Sequence, residues 1–146
     1  MTGSYAQAGV FVVDSSVAVK WFVQEAGSAE ALALVAPGRV LLAPDLLIAE
    51  VSSVLTQKIR SGEFPTDGLG DALEELTATV SLVSSVDLAV DGQRLALRYG
   101  TSLYDCLFLA LAIREEAILA TADRRIVNGM GAAFAQRMRL VEGGEV

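Results

Sequence analysis

Four acidic residues occupy positions where a carboxylate is unusual, and together they predict a site for a hard divalent cation. Asp14 and Asp123 each follow a short β-rich run, whereas Glu50 and Asp105 lie in apolar helical stretches. Carboxylates that converge without basic partners repel one another and raise one another's pKa values. Mg²⁺ or Mn²⁺ relieves this conflict, because both ions prefer oxygen ligands.

Each acid also has a purely structural interpretation. Asp is a good N-cap residue, so Asp14 and Asp123 taken singly are more simply explained as helix caps. Asp105 comes three residues after Ser102 and fits a capping box. For Glu50 the structural interpretation is a buried glutamate with satisfied hydrogen bonds, but the functional one is favoured, because its direction falls within the apolar arc of its helix, where an unpaired Glu is rare.

A carboxylate-bound metal suits phosphodiester hydrolysis, because the ion lowers the pKa of its bound water and so provides a nucleophile. The chain contains no histidine, which excludes Ser–His–Asp triads, Cys–His nucleophiles and HExxH zinc sites. Its one cysteine, Cys106, allows no intrachain disulfide. This cysteine usage favours a reducing, cytoplasmic location, and we expect the side chain to be buried.

The elements that must position the acids are those of an α/β domain. The 146 residues suit one domain, and strands alternating with helices predict a parallel sheet covered on both faces. About five strands are expected, at residues 10–13, 40–43, 80–83, 117–121 and 138–141. The predicted helices follow Asp14, span 28–35, 45–60, 87–99 and 102–116, and begin near Thr66 and Asp123. The domain covers residues 10–141, with flexible tails at 1–9 and 142–146.

In an open sheet of this kind, ligands bind outside the carboxyl ends of the strands. All four acids can lie at that edge. The net charge of −7 opposes unassisted binding to nucleic acid or to an anionic membrane, and no apolar run approaches the roughly 18 residues of a membrane helix. Two bound Mg²⁺ ions would change the net charge from −7 to −3, so we expect any nucleic-acid binding at this site to depend on metal.

Other enzyme classes fit less well. The sequence has no GxxxxGK[ST] motif, and Gly129-Met130-Gly131 lacks the third glycine of a dinucleotide fingerprint. An aspartyl-phosphate enzyme would use an acid after the first strand, but that alternative leaves Glu50 and Asp105 unexplained.

Four segments, in order, resemble the acidic motifs of PIN-domain nucleases, in particular those of VapC toxins from bacterial toxin–antitoxin pairs. The segments are VVDSS, LLIAEVSSVL, SLYDCLFLALA and LATADRRI. Any one of these segments alone is a weak indication of the family, but the four in this order are specific for it. The resemblance covers nearly all of residues 10–141.

The resemblance implies a PIN-like three-layer α/β/α fold and a Mg²⁺- or Mn²⁺-dependent endoribonuclease. It also implies a cognate antitoxin and usually a homodimer. Carried over by position, the metal-binding residues are Asp14, Glu50, Asp105 and Asp123, with Ser16 and Thr121 as supporting hydroxyls.

Candidate contacts to the RNA backbone are arginines near these motifs, although each is also readily explained as a solvated surface charge. They are Arg94, Arg98, Arg124 and Arg125. Two alternatives stay open: a non-catalytic PIN-like module that binds RNA or an antitoxin, and a PIN nuclease that acts on DNA or in RNA maturation.

Overall fold

Five parallel strands form one sheet in the computed structural model, which describes residues 9–142. The strand order is β3-β2-β1-β4-β5, and every neighbouring pair is parallel. The strands are β1 (Val10–Val13), β2 (Val40–Pro44), β3 (Ser81–Val83), β4 (Ile118–Thr121) and β5 (Met138–Leu140). The predicted parallel sheet is confirmed. Most of both predicted tails, at 1–8 and 143–146, lies outside the described residues.

Seven α-helices connect these strands within the described range. They are α1 (Ser15–Ala18), α2 (Ser28–Ala33), α3 (Leu46–Arg60), α4 (Leu69–Thr79), α5 (Ser85–Tyr99), α6 (Leu103–Arg114) and α7 (Arg124–Phe134). Because crossovers between parallel strands are right-handed, α1 to α4 cover one face and α5 to α7 cover the other. The result is the predicted three-layer α/β/α fold, in which the strand order reverses between β1 and β4.

Helix α6 forms the centre of one helical layer. Seven consecutive residues, from Cys106 to Ala112, are buried, which explains why the segment is apolar on all sides. Cys106 is buried as predicted. Within residues 9–142 no single helix is long and apolar enough to span a membrane; α5 and α6 pass such a test only when joined, across a bend of 115°.

Two helices begin at residues other than those predicted. Helix α4 begins at Leu69 after Gly68 rather than next to Thr66. Helix α5 begins at Ser85, two residues before the predicted start. Its position is fixed by Asp45, whose carboxylate accepts a hydrogen bond from the backbone N–H of Ser85 at 3.1 Å. The helix ends at Gly100, which has the left-handed conformation expected of a C-cap (φ 65°).

Candidate metal centre

Asp14 is the most deeply buried of the four acids, with 5% of its surface exposed. It directly follows β1, and its Oδ1 accepts hydrogen bonds from Ser16 Oγ at 2.6 Å and from the Val17 N–H at 3.1 Å. Its Oδ2 accepts one from Thr121 Oγ1. Burial raises the pKa of Asp14 to about 6 although these hydrogen bonds lower it, and the charge of Asp123 adds to the rise.

The hydroxyls of Ser16 and Thr121 are oriented by the turn between β4 and α7. Ser16 Oγ accepts a hydrogen bond from the Ala122 N–H at 2.9 Å, and Thr121 Oγ1 accepts one from the Asp123 N–H at 3.0 Å. Because each oxygen already accepts from the backbone, its own proton is free to be donated to Asp14. The ends of β1 and β4 are thereby joined where the strand order reverses.

Asp123 both caps a helix and pairs with an arginine. Its Oδ1 accepts a hydrogen bond from the Arg125 N–H at 2.9 Å, which makes it the N-cap of α7. Its Oδ2 accepts one from the Arg125 guanidinium at 2.6 Å. Asp14 likewise caps α1 through the Val17 N–H. The capping interpretation of these two residues therefore holds, and it does not prevent either carboxylate from facing the other acids.

Glu50 and Asp105 are half-buried and approach the same place from two helices. Burial raises the pKa of Glu50, a hydrogen bond with Ser15 lowers it, and the charges of Asp14 and Asp105 raise it further. Burial also raises the pKa of Asp105; Arg125 lowers it and Asp123 raises it. Glu50 is in the second turn of α3, and Asp105 is in the first turn of α6.

The causes of these pKa shifts connect the four carboxylates in a cycle, and we call the four acids the ring. Asp14 interacts electrostatically with Asp123 and Glu50, and Asp105 interacts with the same two residues. Asp14 and Asp123 follow β1 and β4 at the carboxyl edge of the sheet, next to the reversal between these strands, and Glu50 and Asp105 lie in the first two turns of α3 and α6. In an α/β sheet this edge is the usual place for a ligand site.

The chemistry of these groups fits a hard divalent cation. The potential ligands are carboxylate and hydroxyl oxygens. Among residues 9–142, however, no group of three or more His, Cys, Asp or Glu side chains has an arrangement that could hold a metal ion. Mg²⁺ keeps several waters and is commonly held by one or two carboxylates, so it does not require three preformed ligands. Asp14 and its three neighbours would hold such an ion, partly through water.

Only one of the four candidate arginines contacts the acids in the described part of the chain. Arg125 pairs with Asp123, and both Asp123 and Asp105 raise its pKa. The others have different partners: Arg124 pairs with Glu142, Arg94 pairs with Asp91 at 3.3 Å, and Arg98 lies over the ring of Tyr99.

The sequence analysis did not identify Asp45 as an acid at this edge, nor the pairing of Arg125 with Asp123. Asp45 directly follows β2, as Asp14 follows β1, so the same signal was available. Its carboxylate accepts hydrogen bonds from the backbone and the hydroxyl of Ser85 instead of joining the ring. Arg125 was predicted to contact phosphate, but here it neutralises Asp123, a partner that is identifiable only in three dimensions.

Comparisons with known proteins found similarity in sequence and in fold. A family model described as PIN domain matches residues 11–129. The chain is 31% identical over 120 residues to Ribonuclease VapC3 of Pyrobaculum aerophilum, covering 80% of this chain and 92% of that protein.

Solved structures with a similar fold include a toxin and a chain of a toxin–antitoxin complex. VapC20 of Mycobacterium tuberculosis, described as a toxin that cleaves the sarcin–ricin loop, has a TM-score of 0.65 at 18% identity, covering 86% of this chain and 97% of that one. A toxin–antitoxin complex from Klebsiella pneumoniae has a TM-score of 0.62 at 13% identity, covering 91% and 98%. At identities of 18% and 13%, the similarity to these two structures shows a shared fold and nothing further.

Proposed function

This chain belongs to the PIN domain family, and from that premise we propose that it is a metal-dependent endoribonuclease, the toxin of a toxin–antitoxin pair. The observation that carries the proposal is the buried Asp14 carboxylate, which Ser16 and Thr121 join to the end of β4 next to three further acids. The 31% identity to a protein named as a VapC ribonuclease supports RNA as the substrate. The similarity to a toxin–antitoxin complex supports an antitoxin as partner. A cytoplasmic location is consistent with an RNA substrate and with an antitoxin as partner.

In this proposal Asp14, Glu50, Asp105 and Asp123 hold one or two Mg²⁺ or Mn²⁺ ions. When bound, such an ion supplies an activated water and neutralises charge at the phosphorus. Ser16 and Thr121 keep Asp14 ionised and oriented, because their hydroxyl protons point at its two oxygens. Hydrogen bonds of this kind to a ligating carboxylate fix its direction and tune its affinity for the ion.

Arg125 has a second role in this proposal. In the metal-free chain its guanidinium neutralises Asp123 and Asp105. If Asp123 and Asp105 held a divalent cation, that ion would neutralise them in place of Arg125, whose guanidinium would then be available to contact an RNA phosphate, for which Arg is well suited. Arg94, Arg98 and Arg124 are exposed, so they are accessible to RNA. They do not contact the four acids, and their proposed role is to bind the RNA backbone.

A cleavage assay on total cellular RNA tests the proposal. The purified chain, free of any antitoxin, is incubated with Mg²⁺, with Mn²⁺ or with EDTA. We expect discrete cleavage products with either metal and none with EDTA. The variant Asp105→Asn should not cut. Asp45→Asn is the matched control, because it changes an acid at the same edge that binds Ser85 rather than the ring.

The outcomes separate the alternatives. Cleavage that persists in EDTA contradicts the metal dependence. Cleavage of single-stranded DNA but not of RNA indicates a DNA nuclease. Binding of RNA without cleavage, under conditions where the chain is folded and loaded with metal, indicates a non-catalytic module.

A further inference from the structure

One aromatic side chain is exposed to water next to the acids. Tyr104 is 61% exposed, and it immediately precedes Asp105 in the first turn of α6. Among residues 9–142, every other Phe, Trp or Tyr is buried or half-buried. The exposed ring contributes little to the core, so its position beside a candidate metal ligand calls for another explanation.

The position of Tyr104 follows from the course of α6. At about 100° per residue, Tyr104 points in a direction between those of Phe108 and Leu111. These two residues are 2% and 0% exposed, so the rest of the chain covers this side of the helix from its second turn onward. Helical side chains lean toward the helix N-terminus. The ring therefore lies beyond the covered part of α6, at the end where Asp105 interacts with Asp123.

The backbone of Tyr104 is held in place while its ring is left unused. Its N–H donates a hydrogen bond to Ser102 Oγ at 3.1 Å, which is the N-cap contact of α6. With the other residues of the range 9–142, the Tyr104 side chain makes no hydrogen bond and no contact with another ring. The start of the helix thus presents an aromatic ring with a fixed point of attachment, and a group that is positioned in advance binds at a lower entropic cost.

An exposed ring of this kind suits an unpaired nucleobase. Single-stranded RNA is commonly bound by stacking its bases on aromatic side chains, and every base has a face that can stack. Neighbouring Cα atoms are about 3.8 Å apart, so a base on Tyr104 belongs to a nucleotide close to a phosphate held at Asp105. Stacking carries no charge, and it is therefore well suited to a chain with a net charge of −7, in which electrostatic attraction to RNA is weak.

We propose that Tyr104 stacks on an unpaired base of the RNA, one that adjoins the phosphodiester to be cut; this inference rests on the nuclease activity proposed above. The ring then fixes the position of the strand relative to Asp105. A base within a duplex is already stacked and paired, so the contact favours RNA that is single-stranded or looped at the cleavage site.

Steady-state kinetics on a short single-stranded RNA with one cleavage site test the role of the ring. Tyr104→Ala should raise KM by roughly 5- to 150-fold, the value of one stacked base, and should change kcat much less. Tyr104→Phe should retain the native KM, because stacking needs the ring and not the hydroxyl. Leu32→Ala is the matched control, since Leu32 is 51% exposed on a different helix, α2. Circular dichroism checks that each variant is folded.

Abasic substitutions in the RNA identify the base that is bound. Each nucleotide around the cleavage site is replaced in turn by one that lacks its base. At one position the loss should raise the KM of the native chain but leave that of Tyr104→Ala nearly unchanged, because the two changes remove the same contact. Effects that are additive at every position overturn the proposal, and so does a native KM for Tyr104→Ala.

Binding of the same RNA, labelled with a fluorophore and measured by anisotropy with Ca²⁺ in place of Mg²⁺, separates this inference from the proposed function. Tyr104→Ala should raise the Kd by a similar factor. A native chain that binds RNA through Tyr104 without cutting it contradicts the nuclease activity but not the stacking. A Tyr104→Ala variant that binds and cuts as well as the native chain contradicts the stacking but not the nuclease activity. A native chain that neither binds nor cuts RNA overturns both.

Discussion

At the carboxyl edge of the sheet the chain buries charge, whereas along the outer face of α5, which carries Val86, Val90 and Leu97, it exposes hydrocarbon. Asp14 is 5% exposed and Leu97 is 79% exposed, and each is costly for a lone chain in water. The buried acids need a small, highly charged partner that enters the site. The outer face of α5 needs a broad apolar surface. Whether the unsatisfied group is a buried charge or an exposed apolar surface therefore indicates the size and chemistry of the molecule that would satisfy it.

The largest expected effect comes from removing the charge of Asp14. Asp14→Asn should lower metal-dependent RNA cleavage by about 1,000-fold or more, because an amide is a poor ligand for a hard cation. The initial rate on a defined RNA fragment measures the loss. The fold should persist, since the amide is nearly the same size. A variant that cuts RNA as fast as the native chain would falsify the assignment of the acidic ring.

The same substitution should change how stability depends on pH in the absence of metal. The pKa of Asp14 is about 6 in the folded chain, against an ordinary value of 3.8. The folded state therefore binds the proton more tightly than the unfolded state does. This contribution to stability is fully present below pH 3.8 and is lost as the pH rises through about 6.

The asparagine of the Asp14→Asn variant does not titrate. Between pH 4 and pH 7 the free energy of unfolding of the variant should therefore rise relative to that of the native chain, by up to about 3 kcal/mol. Urea unfolding of both proteins in EDTA at a series of pH values measures the difference. Added Mg²⁺ should reverse it, because the ion stabilises only the native chain. A difference that does not vary with pH contradicts the burial of an ionisable Asp14.

Removing one hydroxyl should have a smaller effect on the same site. Thr121→Val keeps the shape of a fully buried side chain but deletes the donor to Asp14 Oδ2 and the acceptor for the Asp123 N–H. Cleavage should fall by about 10- to 100-fold, and more Mg²⁺ should be needed for half-maximal rate. Thr77→Val is the control, because the Thr77 hydroxyl bonds only within α4; an equal loss there would show that the effect is not specific.

The smallest expected effect concerns the exposed face of α5. Leu97→Gln should change the free energy of unfolding of the monomer by less than about 0.5 kcal/mol, because the side chain is already in water. Leu88→Ala, on the buried face of the same helix, should cost about 2–5 kcal/mol. Urea unfolding at concentrations where the chain is monomeric measures both. A large cost for Leu97→Gln would mean that the outer face is packed within the chain.

Much of the fold was predictable because its signals are local. The five strands are short β-rich runs, and Asp14, Asp123, Ser102 and Gly100 mark helix ends through hydrogen bonds or a backbone conformation that involves near neighbours in the sequence. The positions of Asp14 and Asp123 at one edge were predictable because strand ends in a parallel sheet share that edge, and their role as metal ligands stays a prediction.

What the sequence did not reveal depends on long-range contacts. Asp45 fixes the start of α5 by binding Ser85, 40 residues away. Pattern also could not show which of the two apolar faces of α5 would be covered by α6, because Leu88 and Val90 are equally apolar. The packing of Gly92 against Leu107 decides this.

The contact between Asp45 and Ser85 also links the two regions mechanically. Asp45 immediately precedes α3, which carries Glu50, and its carboxylate holds the first residue of α5. A change in the position of α5 would therefore act on the start of α3, and a change at α3 would act on α5 in the same way. One side-chain contact thus joins the helix that carries Glu50 to a helix whose far face is exposed.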